Sequence, residues 1–166
     1  NQQSLWGAYR AGMLDDYIQN QWVNMPPMDI SDVAYDAFWA NGAPRRQLTG
    51  AAGERVKLRL INAGAATYFY VHSATGPLTV VAADGMPVQP FARKRLLMGM
   101  GETYDVIVTV PDGGRYEVRA TAQDGSGHAS LFLGAGEQHP AAVIPKPELY
   151  SMDWMLAGMD DESPGD

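Results

Sequence analysis

Three histidines and nine methionines are the side chains of this 166-residue sequence with obvious metal-binding chemistry, and no cysteine accompanies them. Without Cys the chain has no disulfide, no thiolate nucleophile and no thiolate-bound metal. His72 stands between Val71 and Ser73 in a strand-like run, and reads as a strand-face or core-edge histidine. His128 lies in a Gly-rich loop and His139 in a Pro-flanked stretch, and both read as solvated. No two histidines form a His-x-His pair. The methionines cluster more closely. Met25 and Met28 flank two prolines, Met98 and Met100 are two apart, and Met152, Met155 and Met159 share one stripe if that segment is helical. Thioethers are soft ligands, but Met also fills gaps in cores and interfaces, and the second reading is favoured. Ser73 and Ser130 lack the flanking glycines of a nucleophile elbow. Gly134-Ala135-Gly136 lacks the Lys-Ser/Thr of a phosphate loop. The acidic pairs Asp15-Asp16 and Asp160-Asp161 lie at the flanks as solvated charge. No residue of the chain is assigned a catalytic role.

These residues sit on a pattern of short strands. Val56, Leu58 and Leu60 alternate with Arg55, Lys57 and Arg59, giving a strand with one apolar and one wet face. Asn62-Ala63-Gly64 ends it. Further strands are expected over 67–72 and 78–83, the latter buried on both faces, with a turn at Asp84-Gly85. Pairing segments follow at 88–95, broken by Pro90, and at 96–98. Residues 103–110 form a strong strand with Val106, Val108 and Val110 on one face, and Pro111-Asp112-Gly113-Gly114 turns it back. In 115–121, Tyr116, Val118 and Ala120 alternate with Arg115, Glu117 and Arg119, and 129–133 is the last strand. Upstream, 35–42 reads as a strand ending in an Asn41-Gly42 turn, with 47–49 pairing next. One or two helical turns are expected over 5–21, weakened by Gly7 and Gly12. Regular short strands with turn signals between them mean an antiparallel sandwich or barrel.

Length suits one domain able to bury about 70% of its unfolded surface without a disulfide. With 12 Lys and Arg against 19 Asp and Glu the net charge is −7, a poor match for nucleic-acid phosphates. The one basic cluster, Arg93-Lys94-Arg95, reads as a solvated strand face. No stretch is long and apolar enough to span a membrane as a helix. Asn1 in place of Met implies a chain cut from something longer.

The run RVKLRLINAGAATYFYVHSATGPLTVVAADGMPVQP, followed by LLMGMGETYDVIVTV, resembles the middle, second cupredoxin-like domain of a three-domain multicopper oxidase of the bacterial copper-resistance type. The resemblance covers roughly 35–133. It implies an all-β, Greek-key cupredoxin-like (plastocyanin-like) sandwich or barrel with a short helical N-terminal extension. Residues 1–34 are the lead-in, 35–134 the domain, and 135–166 a linker and acidic tail. The resemblance further implies that Tyr104, in Gly101-Glu102-Thr103-Tyr104-Asp105, is a tyrosine corner, a fold-locking hydrogen bond. In that family the copper ligands are His-x-His pairs and a Cys-centred cluster carried by the first and last domains. The expectation is therefore no cofactor in this chain, copper in the parent protein, and a structural spacer role in a periplasmic or extracellular oxidase. That parent would reduce dioxygen to water and plausibly oxidise Cu(I). The partners are the first and third domains, or another copy meeting the apolar flanks Leu5, Trp6, Trp22, Trp154, Met155 and Leu156. The alternative is a stand-alone binding module, or a weak Cu(I) carrier using Met25, Met28, Met152, Met155 and Met159.

Overall fold

A computed structural model describes residues 4–15, 17–18 and 35–145. Among the described residues ten strands form two sheets: β1 (Arg45–Leu48), β2 (Arg55–Ile61), β3 (Phe69–Ser73), β4 (Leu78–Ala83), β5 (Met86–Arg93), β6 (Arg95–Met98), β7 (Thr103–Thr109), β8 (Gly114–Ala122), β9 (His128–Gly134) and β10 (Glu137–His139). One sheet runs β1-β9-β8-β3-β6, with β10 also paired to β8, and the other runs β2-β7-β4-β5. Most pairings are antiparallel, but β1 joins β9 and β10 joins β8 in parallel.

The core lies between the sheets and follows from the period-2 pattern. Leu58 of β2, Leu78 and Val80 of β4, and Val106, Val108 and Val110 of β7 and its end face Val71, Leu96, Met98, Val118 and Leu133 of the other sheet. Leu78, Val80 and Val106 are fully buried. Burial of an aliphatic side chain of this size contributes about 1.5–3 kcal/mol. In β4 the flanking Thr79 and Val81 are only partly covered, so this strand is buried on one face, not on both as its composition suggests. A second cluster at one end joins Phe38, Ala122 and Ala129, with Phe38 edge-on to Phe69 at 5.4 Å between ring centroids.

The turn at Asp84-Gly85 has both residues at positive φ, 47° and 78°, as a two-residue hairpin of the strand-matching kind requires. The segment expected to pair as one run from 88 to 98 is divided. β5 belongs to the four-stranded sheet and β6 to the other, and the chain crosses at Lys94. Pro87 and Pro90 fall in β5, an edge strand, where missing backbone donors are tolerated. The strand expected over 35–42 does not form. Only an Ala40–Ala43 bridge closes around the Asn41-Gly42 turn, because Phe38 is drawn under β8 and β9 instead.

At the N-terminus, α1 (Leu5–Ala11) is capped by Ser4, whose Oγ accepts from Gly7 N at 3.0 Å and donates to Asp36 at 3.0 Å. Gly12 ends it at φ 70°, and residues 14–15 and 17–18 are helical again. The expected helical stretch over 5–21 is thus interrupted at a glycine, and its part beyond residue 18 lies outside the described residues.

Candidate functional site

The outer face of the larger sheet is where polar chemistry concentrates. Its central strand β8 pairs with β9 on one side and with β3 on the other, so side chains of three strands line up in rows. Arg119 of β8 stands opposite both Ser130 of β9 and His72 of β3, and His72 stands opposite Arg95 of β6. Glu117, two residues along β8, shares that face.

Alternation predicted a wet face for Arg115, Glu117 and Arg119. Instead, Glu117 is 1% exposed. A carboxylate out of water must be paired and hydrogen-bonded, and this one is saturated. Its Oε1 accepts from Arg119 Nε at 3.0 Å and Ser130 Oγ at 2.5 Å, and its Oε2 from Arg119 Nη2 at 2.7 Å and Ala141 N at 2.9 Å. Burial pushes the Glu117 carboxyl up. The Arg119 guanidinium, the Ser130 hydroxyl and the Ala141 amide outweigh burial and hold it below the ordinary carboxylate range.

The buried partner is a segment expected to be a linker. Residues 135–145 return across the sheet: β10 pairs with the start of β8, Ala141 is 4% exposed, and the Ala142 carbonyl accepts from His72 Nε2 at 2.7 Å. Because a carbonyl only accepts, His72 carries its proton on Nε2. Its Nδ1 is buried with no hydrogen-bond partner among the described residues, as are Thr67 Oγ1 and Thr121 Oγ1. His72, Lys94 and Arg95 form one side of an open groove of about 550 Å³, and residues 142–145 form the other. Arg95 lies over the Tyr70 ring at 4.5 Å.

The other histidines separate from this group. His128 has an exposed surface at the start of β9, but the part of its ring turned to the protein is desolvated, and this together with the nearby Arg119 lowers its pKa. His139, expected in solvent, is half-buried and stacked on Tyr116 at 4.5 Å. The close approach of β10 to β8 requires Gly114, where a Cβ would meet the His139 ring and the Glu137 carbonyl. Among the described residues no three of His, Asp or Glu converge as a metal site would need. Met98 is in the core and Met100 is exposed on the turn after it. Met25, Met28, Met152, Met155 and Met159 lie outside the described residues.

Tyr104 packs beside the main core and is half-buried, and burial raises its pKa with help from Glu102 and Asp84. Its hydroxyl shows no hydrogen bond among the described residues. Another tyrosine, Tyr116, reaches back to upstream backbone: its hydroxyl donates to the Asp112 carbonyl at 2.7 Å. The sequence carries a signal for this, a Tyr five residues after the start of the Pro111-Asp112-Gly113-Gly114 turn.

The multicopper oxidase family model matches residues 17–136. The chain belongs to the multicopper oxidase family. It is 36% identical over 151 residues to copper resistance protein A of Escherichia coli, covering 86% of this chain and 25% of that protein. It is 38% identical over 149 residues to a copper resistance protein A homologue of Pseudomonas syringae pv. tomato, covering 85% of this chain and 25% of that one. The multicopper oxidase MmcO of Mycobacterium tuberculosis is 31% identical over 135 residues, covering 80% of this chain and 26% of its own. The chain thus spans about a quarter of the length of these curated relatives. Among solved structures, Fet3p, a multicopper oxidase that functions in iron import, superposes with a TM-score of 0.54 at 17% identity, over 68% of this chain and 23% of its own. That match shows the fold, a cupredoxin-like multicopper oxidase domain of two sheets.

A family of copper oxidases implies copper, and the donors of this chain do not fit a copper centre of that family. No thiolate exists in the sequence. Among the described residues no three His, Asp or Glu side chains converge, and the His139 ring is stacked on Tyr116.

Proposed function

We propose that this chain is the middle, non-catalytic domain of a three-domain multicopper oxidase of the bacterial copper-resistance type. One observation carries the reading: a chain of this family without cysteine, whose three histidines are unpaired in sequence, matches only a quarter of its relatives' length. The copper-binding side chains of the whole protein then belong to its other domains. The whole protein couples one-electron oxidation of a substrate, Cu(I) in this reading, to reduction of dioxygen to water in the periplasm or outside the cell. This domain's share is architectural: it holds the first and third domains at the spacing their shared copper site needs. The exposed Leu5 and Trp6 at one flank are available to such neighbours.

Copper loading tests the proposal. Purified chain incubated with Cu(II), and separately with Cu(I) under reducing conditions, is desalted and assayed for metal and for visible absorption. The expected result is no retained copper, no blue band and no oxidase activity. A blue band or stoichiometric Cu(II) overturns the reading. Retained Cu(I) without colour shifts the function to the methionines and is followed by substitution of Met25, Met28, Met152, Met155 and Met159.

A further inference from the structure

Two adjacent residues, Ala141 through its backbone N–H and Ala142 through its carbonyl, are each held by a buried side chain from a different strand of the sheet beneath. Glu117 of β8 accepts the Ala141 N–H at 2.9 Å, and His72 of β3 donates to the Ala142 carbonyl at 2.7 Å. Just upstream, β10 is zipped to β8 in parallel, with Glu137, Gln138 and His139 opposite Gly114, Arg115 and Tyr116. The His139 ring lies on Tyr116, and Arg115 reaches Gln138 at 3.2 Å. The path from 137 to 142 is therefore fixed by backbone pairing at one end and by two side chains at the other. A segment with three prolines between 140 and 147 carries few backbone donors of its own, so side chains supply the hold.

We propose that Glu117 and His72 form a two-point clamp that makes residues 137–142 a rigid rail, fixing where and in which direction the chain leaves the sandwich. Glu117 and His72 are positioning residues in this role. The bidentate Arg119 pair and Ser130 aim the carboxylate, and the carbonyl acceptor fixes the histidine tautomer. The clamp itself stands on this chain alone. Its consequence for a following domain, a set angle of departure in place of a flexible tether, rests on the spacer reading above.

Backbone amide hydrogen exchange, followed by NMR on the full 166-residue chain, tests the clamp. In the unsubstituted chain the Ala141 amide is expected to exchange far more slowly than an unstructured peptide. Glu117→Asp keeps a negative charge beside Arg119 but draws the carboxylate back by one methylene. The Ala141 amide should then lose protection by about 10- to 100-fold, the range a single charge-assisted hydrogen bond supplies. The amides of Val106 and Val108 in the core strand should stay protected. If Glu117→Asp loosens the whole sandwich, Ala141→Pro decides, since it removes the rail's donor, with the φ of 141 fixed by the new ring, and leaves the Glu117, Arg119 and Ser130 side chains in place. The amides of 138, 139 and 142 should then lose protection with the core unchanged. Fast exchange at Ala141 in the unsubstituted chain, or unaltered rail protection in Ala141→Pro, overturns the proposal. Neither readout involves copper, so a failure here is separable from a failure of the spacer reading.

Discussion

Glu117→Ala is the most demanding test of the reasoning, because it removes a buried charge and leaves its partners behind. The carboxylate is 2% exposed at its side chain and the Arg119 side chain 12%. Four donors lose their acceptor at once: two guanidinium N–H groups, the Ser130 hydroxyl and the Ala141 amide. Breaking a buried pair from one side costs about 3–5 kcal/mol, because the surviving charge is uncompensated. Against a total stability of about 5–15 kcal/mol this is a large fraction. It corresponds to a fall of about 6–20 °C in Tm for a chain of this size. Urea unfolding and differential scanning calorimetry at neutral pH read it directly. The companion Glu117→Gln with Arg119→Met removes both charges while leaving an amide oxygen for Ser130 or Ala141. It should cost only about 1–2 kcal/mol, since no bare charge remains. The argument fails if the single substitution costs under about 1 kcal/mol, or if the double one costs as much as the single. Either result would mean that the pair is solvated and the covering segment is not in place.

Other consequences are simpler to check. The Glu117 carboxyl is held below its unfolded value, so its stabilisation is complete above the ordinary carboxylate range and disappears as pH falls through its folded value. Tm should therefore fall less on acidification in the Glu117→Gln, Arg119→Met double variant than in the unsubstituted chain. Asp105 accepts from Arg59 at 2.9 Å and from Lys57 at 3.3 Å, and the Arg59 hydrogen bond leads in lowering its carboxyl to about 2. A carboxyl-detected NMR titration should find it charged well below pH 3.8, and Arg59→Gln should return it toward the ordinary value. Leu78→Ala empties a fully buried position between the sheets and should cost about 2–5 kcal/mol in denaturant unfolding. Gly114→Ala places a methyl group against His139 and the Glu137 carbonyl. It should cost about 1–3 kcal/mol and release β10, seen as lost exchange protection at 137–139 with the core strands intact.

The strands that make the core were legible because their two faces differ. Val106, Val108 and Val110, or Leu58 between Lys57 and Arg59, state both the period and the direction of burial. Local patterning gave no account of what covers the far face of β8. Arg115, Glu117 and Arg119 have the same alternation whether they meet water or a strap of backbone. The strap itself, rich in proline, carries no periodicity that announces a strand. The division of 88–98 between two sheets was hidden for a related reason. Lys94 is a local corner, and only the distant partners, β4 for β5 and β3 for β6, show that the pairing changes there. Tyr104 and Tyr116 illustrate the limit from the side of chemistry. Both stand at strand ends near turns, and which hydroxyl finds a carbonyl depends on how the Pro111–Gly114 turn folds back, a distance that sequence spacing leaves open.

The same geometry changes what kind of module this is. A sandwich with one open outer face can turn over its exposed side chains without losing its core. Here the central strand β8 is covered twice, by the apolar core on one side and by the Glu117–Ala141 contact on the other, so the core extends into the segment after β9. The charge balance agrees. A carboxylate pulled into the protein interior needs a guanidinium and fixed dipoles around it, and each of these comes from a different piece of chain: Arg119 from β8, Ser130 from β9 and Ala141 from beyond β10. Because all three must be in place before the burial cost is offset, the outer face should close cooperatively with the sheet. A domain that only filled space between neighbours would not need this contact. On the spacer reading proposed above, a domain that sets their relative orientation does, because orientation is transmitted only through chain that is rigid where it leaves the fold.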